Sequence, residues 1–323
     1  LIRSVSFKNM DAWKFRLLLG VKLLITACLI YYLNARFSDI SLATFLSIES
    51  SLPFIIAVSL VPLNFYLQFK KWQLICDFSY KPQKKSDVFI SILTGISTGL
   101  LTPGRLGEYP GRAFPLKEVR LSEVTAGAAI DKLNSLLVIL IGGSFAAIIF
   151  LNRVYSVDIN LTVSLLFLLT GVYLMLLYLM LSPEFWRGFV GDQISKFKLV
   201  EKYFLNFRSI GLFHRGTFAK NFAFSVGNYF VFSTQFFLLL LSYSSIEEVS
   251  GAVMGIALVF FTKSIIPGVT FGEIGIRESA AVFFIGQFGV SAGACFNAAL
   301  MLYTINVLIP SIPGAIFIFR KKK

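Results

Sequence analysis

Thr102-Pro103-Gly104-Arg105-Leu106-Gly107-Glu108 sits in the first half of the chain, and its outline returns as Ile266-Pro267-Gly268-Val269-Thr270-Phe271-Gly272-Glu273 in the second. Each stretch follows an apolar segment too short to cross a bilayer comfortably. Each then places a helix-breaking Pro-Gly and a carboxylate where hydrocarbon is expected. Irregular backbone at membrane depth is tolerated only when buried in protein or lining a watery cavity. Paired breaks at matching places in two halves point to a site between repeats in a transporter-like architecture.

The rest of the sequence supports a membrane setting. Of 323 residues, 56% are hydrophobic, and mean hydropathy is +0.76. A soluble domain of this size is excluded by that balance, and no polar stretch is long enough for a soluble catalytic domain. Apolar runs near spanning length occur at 15–34, 52–69, 121–151, 160–181, 219–243 and 293–318. Two shorter pieces, 88–101 and 251–266, end at the Pro-Gly motifs, and 279–287 returns from the second break. The polar stretch 182–220 is basic and aromatic and is expected on the membrane surface. The expected fold is an all-α polytopic membrane protein forming a single integral membrane domain over 1–323. It has about six full spans plus two re-entrant, half-membrane helix pairs. Residues 1–158 form a first inverted repeat and 159–323 a second.

Charge supports this layout. The net charge is +13. In a membrane protein the positive-inside rule and anionic lipid explain that excess, so no nucleic-acid partner is expected. With the N-terminus inside, 24 of the 30 Lys and Arg residues fall on the inner side. Arg36, Arg153, Glu247 and Glu248 fall on the other. This predicts a bacterial cytoplasmic (inner) membrane protein with both termini cytoplasmic. Three spans per half is an odd number, so the second half is inverted. A sequence echo agrees: Asn64-Phe65-Tyr66 lies 39 residues before Pro103, and Asn228-Tyr229-Phe230 lies 39 before Pro267. Thr98 and Thr262 share one offset from the two prolines.

The candidate functional residues gather at the breaks. Gly95-Ile96-Ser97-Thr98-Gly99 and Gly251-Ala252-Val253-Met254-Gly255 are small-xxx-small runs that would seat two half-helices against neighbouring spans. Pro103, Gly104, Gly107, Pro267, Gly268, Gly272 and Gly275 form the helix-break motifs. Arg105, Glu108 and Arg112 follow the first break. Lys263, Glu273, Arg277 and Glu278 surround the second, and Asp131 and Lys132 lie within the third span. Ionisable groups at such depth are costly and face a cavity or one another. One reading is structural, with ion pairs such as Glu108 with Lys132 or Arg277 with Asp131. The other is a basic pocket for a phosphate-bearing headgroup. In it Arg105, Arg112, Lys132, Lys263 and Arg277 hold the headgroup, and Glu108, Asp131, Glu273 and Glu278 tune or close the pocket. The planar fork of Arg suits phosphate, and half-helix N-termini add unpaired N–H groups.

Catalytic signatures are lacking. There is no HExxH, CxxC pair or P-loop, and no catalytic residue is assigned. Cys28, Cys76 and Cys295 form no spaced cluster, and neither metal nor cofactor is expected. His214, the single histidine, reads as a surface residue. Ile25-Thr26-Ala27-Cys28 loosely resembles a lipoprotein cleavage box, but Lys22 interrupts the apolar core, so the segment reads as a retained span. Trp13, Trp72 and Trp186 are expected at the cytoplasmic interface.

At the two motifs the chain resembles the transmembrane region of lysylphosphatidylglycerol synthases and related stand-alone membrane proteins. Pro103 to Glu108 carries the likeness in the first half. Pro267-Gly268 and Gly272-Glu273-Ile274-Gly275-Ile276-Arg277-Glu278 carry it in the second, with Ala129-Ile130-Asp131-Lys132 as the acidic-basic pair of the following helix. Val269-Thr270-Phe271 and Glu273 depart from a more glycine-rich, acid-free pattern, which leaves a different lipid open. The resemblance implies a flippase or transporter that moves a phospholipid or related lipid between leaflets. Its ligands would be membrane lipids, whether anionic, zwitterionic, aminoacylated, glycosylated or isoprenoid. The sequence stops at Arg320-Lys321-Lys322-Lys323 without a soluble aminoacyltransferase domain, so synthesis of lysylphosphatidylglycerol is not expected. Two alternatives stay open: a membrane-embedded transferase acting on a lipid-linked substrate, and a membrane partner of a separate lipid-modifying enzyme. Small-residue faces would also allow a homodimer.

Overall fold

The computed structural model describes residues 45, 47–182, 215–266 and 275–320. Every regular element among them is helical. In chain order they are α1 (Ser51–Ser59), α2 (Val61–Ser79), α3 (Lys85–Leu100), a 3-10 turn (Pro103–Arg105), α4 (Glu108–Gly111), α5 (Leu121–Tyr155) and α6 (Ile159–Leu181). Then come α7 (Arg215–Tyr243), α8 (Val249–Ile265), α9 (Ile276–Gly286), α10 (Ala292–Tyr303), a π-helical segment (Thr304–Leu308) and α11 (Ile309–Arg320).

Five helical stretches are long and apolar enough to cross a membrane: Ser51–Ser79, Leu121–Tyr155, Ile159–Leu181, Gly216–Tyr243 and Ala292–Arg320. They coincide with five of the expected spans, and the protein is an integral membrane protein. The span expected at 15–34 lies outside the described residues, as do 183–214 and with them His214 and Trp186. Trp13 and Cys28 lie outside them too. The outer surface suits lipid. Phe167, Leu168, Met175 and Tyr178 on α6 are all exposed, an arrangement that water would penalise and hydrocarbon does not.

α3 and α8 are shorter, with 16 and 17 residues. At 1.5 Å per residue each reaches about 25 Å, less than the ~30 Å hydrocarbon core. α3 ends where Gly104 and Arg105 both adopt φ of 54°. Two successive left-handed residues cannot continue a right-handed helix. The chain then folds α4 back along α3. Thr98 Oγ1 donates to Gly107 O (2.8 Å) and Thr94 Oγ1 to Gly111 O (3.0 Å), while Gly107 N–H donates to Thr102 Oγ1 (2.7 Å). Side-chain hydroxyls thus satisfy backbone groups released by the break. Gly107 and Gly111 are required because a Cβ on either would collide with Thr98.

The two small-xxx-small runs seat the segments that return from the breaks, not the neighbouring spans that the sequence suggested. Gly95 and Gly99 lie against Glu108, with Arg112 also over Gly95. Gly251 lies against Phe288, and Gly255 against Ile285. Packing also reaches across the two halves of the chain. α3 packs on α11, and Ser97 Oγ donates to Ser311 O (2.6 Å) beside Gly314. α8 packs on α5, where Phe261 covers Gly143.

α2 packs against α7 through a buried amide seam. Asn228 Nδ2 donates to Asn64 Oδ1, and Asn64 Nδ2 donates to Asn306 Oδ1 (2.6 Å). On either side of that pair, Gln235 Nε2 donates to Ala57 O (3.0 Å) and Asn221 Nδ2 to Lys71 O (3.1 Å). Around the seam is an apolar core that includes Phe236, Leu239, Leu240, Ile256 and Leu302. A second core holds Trp72, Ile75, Ile92 and Tyr303.

Candidate functional site

The break after α3 carries Glu108 and Arg112 one helical turn apart, so both face the same way. That face meets Asp131 and Lys132 of α5 and Lys71 of α2. Glu108 is the hub. Its Oε2 lies 3.0 Å from Arg105 Nη2, and its Oε1 lies 3.1 Å from Arg112 Nη2 and 2.8 Å from Lys132 Nζ. Arg112 spans both carboxylates, with Nη1 2.9 Å from Asp131 Oδ2. Asp131 Oδ1 is 3.2 Å from Lys71 Nζ, which also donates to Ser135 Oγ.

Exposure is graded across the cluster. The side chains of Lys71, Arg112, Glu108 and Asp131 are 4–7% exposed, Arg105 is 18% exposed and Lys132 is 39% exposed. The guanidinium carbon of Arg112 sits 4.7 Å from the ring centroid of Trp72. Trp72 is itself buried and donates its indole N–H to Ser91 Oγ. It therefore forms the floor beneath an arginine, not the interfacial anchor expected from sequence. A cation over an indole face is favourable, more so away from water.

The second break is partly described. Gly275 has φ of 105°, a glycine conformation, and its N–H donates to Glu278 Oε2 (2.6 Å). Arg277 Nη2 lies 3.0 Å from Glu278 Oε1, and its guanidinium carbon is 5.1 Å from the Tyr303 ring. Lys263 ends α8, partly exposed. Pro267, Gly268, Gly272 and Glu273 lie outside the described residues.

Of the two ion pairs the sequence suggested, Glu108 with Lys132 is present. Arg277 pairs with Glu278 instead, and Asp131 serves Lys71 and Arg112. Arg105, Glu108, Arg112, Asp131 and Lys132 come together. Arg277 and Glu278 form a separate pair, stacked on a tyrosine of the core that also holds Trp72. Cys76 and Cys295 are free and buried.

Sequence reading missed Lys71, one of the 24 basic residues assigned there to the inner side. The available signal was spacing: Asn64, Gln68 and Lys71 stand at i, i+4 and i+7 of α2, a polar stripe in an apolar helix. Asn221, Ser225, Asn228 and Gln235 make the matching stripe on α7.

Beyond the spans, Lys81 Nζ lies 2.8 Å from Glu118 Oε2. That contact raises the Lys81 pKa and lowers that of Glu118, through their hydrogen bond first and their charges second.

A family model described as the lysylphosphatidylglycerol synthase TM region matches residues 19–314. The chain belongs to this family. A comparison with curated proteins finds no significant match. The lysylphosphatidylglycerol synthase TM region covers both breaks and every residue of the ionic cluster, and the chain is a lipid-related membrane protein.

Proposed function

We propose that the protein is a lipid flippase whose ionic cluster receives the phosphate-bearing headgroup. One observation carries the reading. Lys71, Arg112 and Lys132 outnumber Glu108 and Asp131 at a broken helix, and Lys132 stays partly open. Arg105 adds a further cation at the rim. Such groups are expensive inside a membrane and mark substrate pathways. A headgroup phosphate would enter at Lys132 and Arg105 and compete with Glu108 for them. Arg277 would supply a second contact from the other half, with Lys263 and Glu273 nearby in sequence.

The reading includes two inverted repeats, 1–158 and 159–323, with re-entrant helices at each break. Several contacts support it. α3 and α8 begin 164 residues apart, as do Asn64 and Asn228, and Pro103 and Pro267. Shifting by 164 turns the Gln235–Ala57 pair into Lys71–Asn221, which is also hydrogen-bonded. Such reciprocal contacts are expected about a two-fold axis. α5 and α10 begin 171 apart, and the same shift relates Gly143 under Phe261 to Gly314 beside Ser97. The basic bias of the loops favours a bacterial cytoplasmic membrane with both termini inside.

The test is leaflet exchange of fluorescent phospholipids in sealed proteoliposomes, read by one-sided chemical quenching. Wild type should expose inner-leaflet lipid to the quencher, and Arg105→Gln with Arg277→Gln should not. Wild-type behaviour equal to that of empty vesicles, across anionic, zwitterionic and aminoacylated lipids, would refute the reading. It would favour a transferase or a docking partner.

A further inference from the structure

The packing groups do not follow the two halves of the sequence. One group joins α3 to α11 through the Ser97–Ser311 bond and the close approach at Gly314. The other joins α8 to α5 through Phe261 on Gly143. Each pairs a short helix of one half with a membrane-length helical stretch of the other, α11 being the last part of Ala292–Arg320. The α2–α7 pair touches both: α3 and α5 pack on α2, and α5 and α8 pack on α7.

Besides shared apolar cores, two kinds of polar contact connect these parts. At the α2–α7 crossing the contacts are neutral amides. Asn64, Gln235 and Asn306 are at most 2% exposed, and their partners are other amides or backbone carbonyls. Asn306 also lies in the π-helical segment, a geometry frequent at functional sites. The polar contact between the two groups is ionic. Glu108 and Arg112, on the segment folded along α3, meet Asp131 and Lys132 of α5. An anion competes directly for Arg112 and Lys132 but has no comparable hold on amides paired with one another. A ligand therefore perturbs the ionic contact and leaves the crossing intact.

We infer that the Asn64–Asn228 crossing is a fixed pivot on which the α3–α11 and α8–α5 groups rock. The cluster of Glu108, Arg112, Asp131 and Lys132 is the latch that the phosphate of an anionic lipid headgroup releases, one with no ammonium of its own to balance it. This rests on the flippase reading and gives it a moving part. A ligand shifts a conformational equilibrium only through differential contacts, and the latch supplies them. The crossing keeps the register of the two halves while the latch opens, much as buried polar pairs fix register between helices in lipid.

Paired nitroxide labels test the pivot in the full chain with Cys28, Cys76 and Cys295 replaced by Ser. One pair, Tyr66→Cys with Phe230→Cys, flanks the crossing. The other, Phe89→Cys with Val253→Cys, sits on the two groups. All four positions are exposed, and each pair is 164 residues apart. Distances are measured in phosphatidylcholine nanodiscs with and without phosphatidylglycerol. The Phe89–Val253 distance should shift or split by about 5 Å, the scale of a one-turn slide, while the Tyr66–Phe230 distance stays fixed. Lys132→Gln, at the open edge of the latch, should produce the same shift without phosphatidylglycerol. A crossing pair that moves as far as the other, or two pairs that both stay fixed, would overturn the pivot. Lipid exchange by the same labelled chain separates the two ideas. Exchange with an immobile Phe89–Val253 pair refutes the pivot alone, whereas no exchange by wild type refutes the flippase reading beneath it.

Discussion

Lys132 Nζ lies 2.8 Å from Glu108 Oε1 and ties α5 to the segment that follows the first break. The two ends of this pair sit in different surroundings: Glu108 is 5% exposed and Lys132 is 39% exposed. Glu108 also receives Arg105 and Arg112, so its loss strands buried cations. Breaking a buried ion pair from one side costs about 3–5 kcal/mol. Removing a partly solvated partner costs about 0–1 kcal/mol. Glu108→Gln should therefore lower the thermal midpoint of the purified protein far more than Lys132→Gln. Equal losses would show that Lys132 is as deeply committed as its carboxylate partner.

Arg105 combines a functional side chain with an unfavourable backbone. Its φ of 54° costs an L-residue about 1–2 kcal/mol relative to the right-handed region, a penalty glycine escapes. Arg105→Gly and Arg105→Gln both remove the charge, but only the glycine relieves the backbone. The glycine variant should be the more stable of the two by about 1 kcal/mol, offset slightly by the freedom of its unfolded chain. Both should lose lipid exchange to the same degree. Retained exchange in either would show that the guanidinium is not used.

Much of this architecture was legible because helix breaks at membrane depth leave few alternatives. Pro103-Gly104 foretold where α3 stops, but not that Gly95 and Gly99 would press against Glu108 of the segment that returns. Ion pairing was legible only as chemistry. Sequence could place Glu108 and Asp131 at depth, yet α4 and α5 are joined by a loop whose path decides which cation meets which carboxylate. Lys71 was missed for a related reason. A lysine just past an apolar run reads as a loop charge until the run proves to continue as helix to Ser79. Trp72 was misread with it, since interfacial and buried tryptophans look alike until the residue above the ring is known. The amide seam was half visible: the echo of Asn64 in Asn228 was apparent, but not that the two would meet.

The loop contacts outside the spans allow a pH prediction. Lys81 and Glu118 are both exposed, and their bond holds the Glu118 carboxyl below its ordinary pKa and the Lys81 amine above its own. A lowered carboxyl pKa contributes stability above the unfolded value and loses it as pH falls through the folded one. A raised amine pKa contributes below its unfolded value and loses it as pH rises through the folded one. The pair is thus fully formed at neutral pH and fails at both acidic and strongly alkaline extremes. Gln83 braces the same loops without charge, donating to Lys117 O (3.0 Å) and accepting from Lys117 N–H (3.1 Å). Amide exchange at Lys117 should therefore show little added acid sensitivity in wild type and rise in Gln83→Ala at neutral pH. Glu118→Gln should leave it nearly unchanged.

Glycine substitutions test whether the two cross-half contacts are equivalent. A Cβ at Gly143 would strike Phe261, and one at Gly314 would strike Leu93 O and Ser97 Oγ. Overpacking of this kind costs about 1–3 kcal/mol, more than the roughly 1 kcal/mol of helix propensity that alanine returns. Gly171, on the lipid-facing α6, meets nothing within 4 Å and should accept alanine with no loss. Gly314→Ala should be at least as damaging as Gly143→Ala, because backbone at Leu93 cannot swing aside as a phenylalanine ring can. If the α3–α11 and α8–α5 contacts serve one symmetric function, both variants should lose lipid exchange alongside stability, and Gly171→Ala should lose neither. Loss from one alone would show that the two contacts, alike in geometry, differ in use.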